Sequence, residues 1–154
     1  MHYDRLIRLA ALVCRHEHDA EDAVQSALER AWKNRESLRA SDRIKPWLDR
    51  IVVREAIVIA RSRERSLLRL FRREAPEDLD EPPALPGVDR ADWADLVVAF
   101  ARLTADQRAV VALHLYAGYP VADVAAILGV PHETVRSRLR LAREKLRRGA
   151  GVRR

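Results

Sequence analysis

Four of the chain's seven prolines fall in one stretch, "REAPEDLDEPPALPGVDR" (residues 73–90). Each proline lacks a backbone N–H and disfavours helix in the residue before it. Regular helix cannot run through such a stretch, so the sequence divides into two blocks joined by a partly extended linker. Charge follows the same division. Residues 1–73 hold 17 basic and 11 acidic side chains, net +6; residues 74–95 hold 1 and 8, net −7; residues 96–154 hold 11 and 4, net +7. The expected organisation is therefore a first domain over 1–73, a flexible acidic linker over 74–91 and a second domain over 92–154. Two readings of the linker stand: a solubilising spacer, or a transient cover for one of the basic surfaces.

The blocks themselves are rich in Leu, Ala, Val and Arg and hold almost none of the 5 glycines of the 154-residue chain before residue 118, except the one in the linker. Helix formers prevail, and the expected fold class is all-α: two small helical domains. A net charge of +6 and a pI near 10.2 point to a polyanionic partner. The single cysteine, Cys14, excludes an internal disulfide and fits a reducing compartment. Arg8 interrupts the apolar run "LIRLAALV", which is too short to span a bilayer, and no signal-peptide cleavage pattern follows. The expectation is a soluble cytoplasmic protein with no membrane insertion.

In the first block, residues 2–14 alternate apolar and polar at helical spacing. After "RHEH" comes "DAEDAVQSALERAWKN" (19–34), in which Ala20, Ala23, Val24, Ala27, Leu28, Ala31 and Trp32 form one apolar stripe. Asp19 is the expected N-cap, with Glu21 and Asp22 in the first turn, where the helix dipole favours anions. "NRESLRASDRIK" (34–45) reads as a loop or broken helix. Pro46 opens a long helix, "PWLDRIVVREAIVIARSRERSLLRLFRR". Trp32, Trp47 and Trp93 lie on apolar faces and are expected in the core.

In the second block, "WADLVVAFARL" (93–103) is a short amphipathic helix. Thr104 caps "ADQRAVVALHLYAG" with Gln107 completing a capping box, and Gly118 ends it. "VADVAAILG" and "GVPHETVRSRLRLAREKLRR" follow. The small Ala125, the turn at Gly129, and the spaced Val124, Leu128, Val130 and Val135 make a helix-turn-helix pattern. At 100° per residue, Val135, Leu139, Ala142 and Leu146 make one narrow buried stripe, and Arg136, Arg140, Arg143 and Arg147 a ridge beside it. Seven basic residues face only two Glu in 129–148. A solvated helix would scatter and pair its charges, and a coiled coil would need a longer apolar seam. The helix is read as one that reads DNA.

The string "LTADQRAVVALHLYAGYPVADVAAILGVPHETVRSRLRLAREKLRR" resembles region 4, the promoter-recognising domain of bacterial extracytoplasmic function (ECF) sigma factors. "DAEDAVQSALERAW" and "PWLDRIVVREAI" resemble their region 2, and the order along the chain agrees. The short variable linker matches the place where larger sigma factors carry a further domain. The resemblance implies a protein that binds core RNA polymerase and directs promoter-specific initiation. It implies that Asp19, Glu21, Asp22 and Gln25 dock on a coiled coil of the polymerase β′ subunit, with further contacts to the β subunit. It places residues 34–45 at a flipped-out base of the minus-ten element, where extruding a base requires a pocket and strand contacts. Asn34, Arg35, Arg39, Arg43 and Lys45 are the candidates there. Arg54, Arg61, Arg63 and Arg65 would hold phosphates of the melted strand. His132, Glu133, Thr134, Arg136, Ser137 and Arg140, with Arg143 toward the backbone, would face the minus-thirty-five element. An anti-sigma factor is a further implied partner, by family analogy.

The chain departs from the family's pattern in places. Val52, Val53, Arg54 and Val58 stand where the family often has Ala-Arg-Asn and, further on, Asp; Pro120 replaces a Ser or Thr cap. The start, only a few residues before the first helix, leaves a truncated or re-assigned N-terminus open. "CRHEH" brings Cys14, His16 and His18 together, but the spacing fits no common zinc pattern and reads as a polar turn. No P-loop, GxSxG, HExxH or nucleophile–base arrangement appears, so the expectation is no catalytic site, no metal and no cofactor. Two rivals remain: a stand-alone helix-turn-helix regulator with an N-terminal sensing or dimerisation domain, and a module that binds only proteins, against which the arginine ridge argues.

Overall fold

The computed structural model describes residues 2–38, 43–70 and 99–150, which contain helices and turns and, among the described residues, no strand. The chain divides into two compact units, Met1–Glu81 and Pro82–Arg154. The expected boundaries at 73/74 and 91/92, the linker, Trp93 and most of the helix expected over 93–103 lie outside the described residues; 99–101 are helical.

In the first unit, α1 (His2–Cys14), α2 (Glu17–Lys33) and α3 (Ile44–Leu70) each pack against the other two. α1 contributes Leu6, Leu9, Ala10 and Val13, and α3 contributes Val52, Val53, Ala56, Ile57 and Ala60. The inward side of α2 is nearly all alanine: Ala20, Ala23, Ala27 and Ala31, with Val24. Methyl groups let two helices approach α2 closely, which is the packing that a small-residue stripe at three- and four-residue spacing specifies.

That close approach corrects the core expectation for tryptophan. Trp32 is 69% exposed and Leu28 is also turned out, because the inner sector of α2 is filled by alanines and leaves no volume for either. Trp47 is half-buried. The start of α2 differs as well. Arg15 closes α1 in the left-handed region (φ 66°), its N–H donating to the Ala11 carbonyl at 2.7 Å, and helix resumes at Glu17. His16, extended, is the N-cap, so Asp19 is the third helical residue rather than the cap. Likewise α3 begins at Ile44, two residues before Pro46. Proline at that third position removes only an N–H that has no intrahelical acceptor.

A charged pair lies inside this unit. Asp49 is fully buried (0%) and its carboxylate stands 2.7 Å from the Arg5 guanidinium of α1. Arg30 of α2 reaches Glu55 of α3 at 2.6 Å. The Cys14 thiol, also buried, lies 3.6 Å from the Ala56 carbonyl.

In the second unit the capping box forms as read. The Thr104 hydroxyl accepts from the Gln107 N–H at 3.2 Å, and the Gln107 side chain accepts from the Thr104 N–H at 3.1 Å. The helix beyond it is shorter than expected: α4 runs Ala105–Val111 and widens into a π turn, Ala112–Tyr116, closed by Ala117 N–H to Ala112 carbonyl at 2.9 Å. Gly118 (φ 78°) then redirects the chain, and His114 Nδ1 donates to the Tyr119 carbonyl across the bend at 2.7 Å. α5 (Val121–Leu128) starts behind Pro120, whose carbonyl accepts from the N–H groups of Asp123 and Val124. No side chain caps it, as the proline there dictates. Gly129 takes the left-handed conformation (φ 66°, ψ 38°) and the Val130 N–H donates to the Ala125 carbonyl, which turns the chain into α6 (His132–Ala150). Val124, Ala125, Ile127, Val135, Leu139 and Ala142 are buried between them, while Leu128, Val130 and Leu146 are half-buried.

The Arg5–Asp49 pair yields a stability prediction. Arg5→Met removes the Arg5 cation from a buried carboxylate and should cost about 3–5 kcal/mol in thermal or urea unfolding of the first unit. Arg5→Met with Asp49→Leu should recover much of that loss, since an apolar pair of similar volume carries no desolvation penalty.

Candidate nucleic-acid interface

α6 presents its charges by periodicity. Its buried stripe, Val135, Leu139 and Ala142, packs on α4 and α5. Arg136, Arg140, Arg143 and Arg147 are all exposed along the adjacent face. His132, Glu133 and Ser137 are exposed at its N-terminal turns, and Thr134 is half-buried. The structure thus brings all seven residues predicted for this surface onto one helix. Two ridge arginines have carboxylate neighbours: Arg136 donates to Glu133, and Arg140 Nη1 donates to Glu144 Oε1 at 3.3 Å.

Two other basic residues of α6, Arg138 and Lys145, support the fold. Arg138 lies 3.8 Å from Asp106 in the first turn of α4. Lys145 donates to the Arg102 carbonyl at 3.1 Å and to Gln107 Oε1 at 2.9 Å, the same oxygen that completes the capping box. Arg108, nearly buried, donates to the Leu103 carbonyl. The Arg138 and Lys145 contacts fix α6 against the start of α4, and sequence reasoning missed them. The one available signal was position: Arg138 and Lys145 fall off the ridge at 100° per residue.

On α3 the buried residues end at Ala60, so the C-terminal third extends past the core. With Arg54 at zero, Arg61 and Arg65 fall within about 20° of it, opposite the buried stripe, and all three are exposed. Burial, and then the neighbouring Arg50, lower the pKa of Arg54 below the ordinary guanidinium value. A guanidinium starts so far above neutrality that it stays charged. Arg63 falls about 180° away from that ridge. It grips Asp19 of α2 with two hydrogen bonds, Nε to Oδ2 and Nη2 to Oδ1, the second at 3.0 Å. The structure therefore separates Arg63 from Arg54, Arg61 and Arg65, and separates Asp19 from Glu21, Asp22 and Gln25.

Those three remain together on the outward face of α2, all exposed. Leu28 and the 69%-exposed Trp32 share that face. At the end of α2, the Asn34 side chain donates to the Arg30 carbonyl at 2.9 Å. Arg35 stacks its guanidinium 4.4 Å from the Trp32 ring centroid while donating to the Trp32 carbonyl at 2.8 Å. A short 3₁₀ turn, Arg35–Ser37, follows. Arg43 and Lys45 are exposed at the start of α3, and Arg39 lies outside the described residues.

Residues 1–66 match the family described as "Sigma-70 region 2", and residues 94–146 match "Sigma-70, region 4". The ECF RNA polymerase sigma factor SigM of Mycobacterium tuberculosis is 35% identical over 154 residues, spanning 97% of this chain and 74% of that protein. The chain belongs to the ECF sigma factor family. SigL of the same organism is 34% identical over 132 residues, 83% of this sigma factor and 72% of that protein. Among solved structures, the sigma factor RpoE of Bartonella quintana, in complex with the anti-sigma factor NepR, aligns with TM-score 0.75 and 30% identity. That alignment covers 98% of this chain and 92% of that one. CnrH, solved with the cytosolic domain of CnrY, shares the fold at TM-score 0.64 and 24% identity.

No helix of the sigma factor's described residues is long and apolar enough to cross a membrane. The exposed Trp32 makes a test of its surface placement. Trp32→Ala should change unfolding stability by about 1 kcal/mol or less, against the 3–5 kcal/mol expected of a core tryptophan; a chemical-denaturation curve decides between them.

Proposed function

We propose that this sigma factor directs promoter-specific transcription initiation through a division of labour between its two units. The first unit docks on core RNA polymerase and meets the minus-ten element; the second reads the minus-thirty-five element. The observation that supports this reading best is the exposed arginine ridge of α6, on a helix-turn-helix whose off-ridge Arg138 and Lys145 are engaged within the unit. Phosphate contacts would position that helix, and His132, Glu133, Thr134, Arg136, Ser137 and Arg140 would meet base edges, with Arg143 toward the backbone.

In the first unit, the β′ coiled coil would lie on the outward face of α2. Glu21, Asp22 and Gln25 supply polarity there, and Leu28 and Trp32 supply apolar area of the kind that anchors protein interfaces. Asp19 acts there by holding Arg63, and so α2 against α3. Asn34, Arg35, Arg43 and Lys45 flank the turn proposed for base capture, together with Arg39. Arg54, Arg61 and Arg65 hold the melted strand. Contacts to the β subunit belong to the same assembly. The protein works in the cytoplasm and supplies specificity, while the chemistry of RNA synthesis belongs to the polymerase. The B. quintana complex supports an anti-sigma factor as a further partner.

Transcription in vitro with purified core polymerase on a genomic promoter library tests the assignment. A promoter-specific transcript and co-elution with core are expected; the absence of both would sink it. The division of labour is tested by Arg140→Ala. A lost base-edge pair should weaken upstream-element binding by about 1–3 kcal/mol while core association is unchanged. A loss of core binding instead would show that the two units do not divide the work in this way.

A further inference from the structure

The ridge of α6 is not uniform. Arg143 and Arg147 make no ion pair among the described residues, whereas Arg140 shares Nη1 with Glu144 one turn further along the same face. A guanidinium has five N–H donors arranged as a fork, so a carboxylate that takes Nη1 leaves the edge formed by Nη2 and Nε open. That edge has the two parallel donors needed to pair with two adjacent acceptors of a base, as on guanine. The same carboxylate adds a fixed negative charge beside the ridge. A charge there works against a phosphate but acts much less on the neutral acceptors of a base edge. Arg140 is exposed and Glu144 about half-exposed, so the pair itself contributes little to folding. Its consequence is for what Arg140 can bind.

We infer that Glu144 is a specificity-determining positioning residue: by holding Nη1 of Arg140 it aims the remaining guanidinium edge at bases and disfavours its capture by phosphate. This rests on the reading of α6 as the helix that meets the upstream element. Glu144 touches no base in this scheme and acts through Arg140. Without it, Arg140 becomes one more mobile cation, free to hold a phosphate of any sequence.

The test uses holoenzyme reconstituted from core polymerase and the full chain. The probes are an upstream duplex enriched by that holoenzyme from a random pool and a scrambled duplex of equal composition. In Glu144→Ala, binding to the scrambled duplex should tighten about three- to tenfold, with its salt slope steeper by about one phosphate contact. Binding to the enriched duplex should change by about twofold or less, so discrimination falls. Asp123→Ala, which removes an equal charge from exposed α5 surface, should leave the ratio of the two affinities unchanged. In an Arg140→Ala background, adding Glu144→Ala should leave it unchanged as well, since the coupling runs through Arg140. Equal tightening on both duplexes, an unchanged ratio in the Glu144→Ala holoenzyme, or a persisting effect without Arg140 would overturn the inference. If the unaltered holoenzyme enriches no duplex, the reading of α6 itself fails, and that outcome is separable from the others.

Discussion

The first unit depends on how closely α1 and α3 can approach α2. Four alanines and a valine on its inward side set that distance. A helix with methyl groups as its inner surface gains little apolar burial per residue, but it lets both neighbours bring their own Leu, Ile and Val side chains into the same space. The consequence appears on the opposite face. Leu28 and Trp32, the largest apolar residues of α2, have no inward volume to fill and remain in water. A tryptophan held at the surface by the packing on the far side of its helix is available to a partner without any rearrangement of the core. The arginine stacked on it limits the cost of that exposure in the free protein.

How much of this could be read from sequence depends on the range of the interaction. The Thr104–Gln107 capping box, the Gly129 turn and the ridge of α6 are set by residues within one or two helical turns, and periodicity or turn chemistry identifies them directly. The facts that escaped depend on a second helix. Asp19 looks like an N-cap when only its neighbours are considered; forty-four residues later Arg63 offers it two charge-assisted hydrogen bonds, stronger than one to a backbone N–H. Trp32 belongs to the apolar stripe by spacing, and only the number of helices flanking α2 decides that its edge of the stripe stays wet. Nothing within "WLDRI" marks Asp49 as buried, and its burial is visible only once Arg5 of α1 stands beside it. The π turn after α4 has no sequence signal that we can name.

Net charge overstates the surface that a polyanion would meet. Arg5, Arg30, Arg63, Arg108 and Arg138 each face a carboxylate or a carbonyl of their own unit, and Lys145 bridges a carbonyl and an amide. These cations hold helices together. Part of the charge that remains outward is arranged in two short ridges, on α6 and on the far face of α3, each set by helical period and each backed by a buried stripe. An arginine is suited to both tasks for the same reason, a rigid fork of donors on a long apolar stem. Which task it performs is decided by whether the adjoining helix presents an acceptor.

That choice bears on specificity. A protein whose basic residues were all outward would bind any duplex through counterion release, and its affinity would hold little sequence information. Engaging some of them within the fold lowers that background without lowering pI. The carboxylates left beside the ridge continue the same logic at shorter range, because a guanidinium already committed on one side can gain fully only from a partner that fits the other. On the proposed reading of α6, discrimination would come less from adding contacts to the correct sequence than from making indiscriminate contacts weaker. In a bacterial cell with a genome of competing sites, the ratio between the two is the quantity that decides where a sigma factor is found.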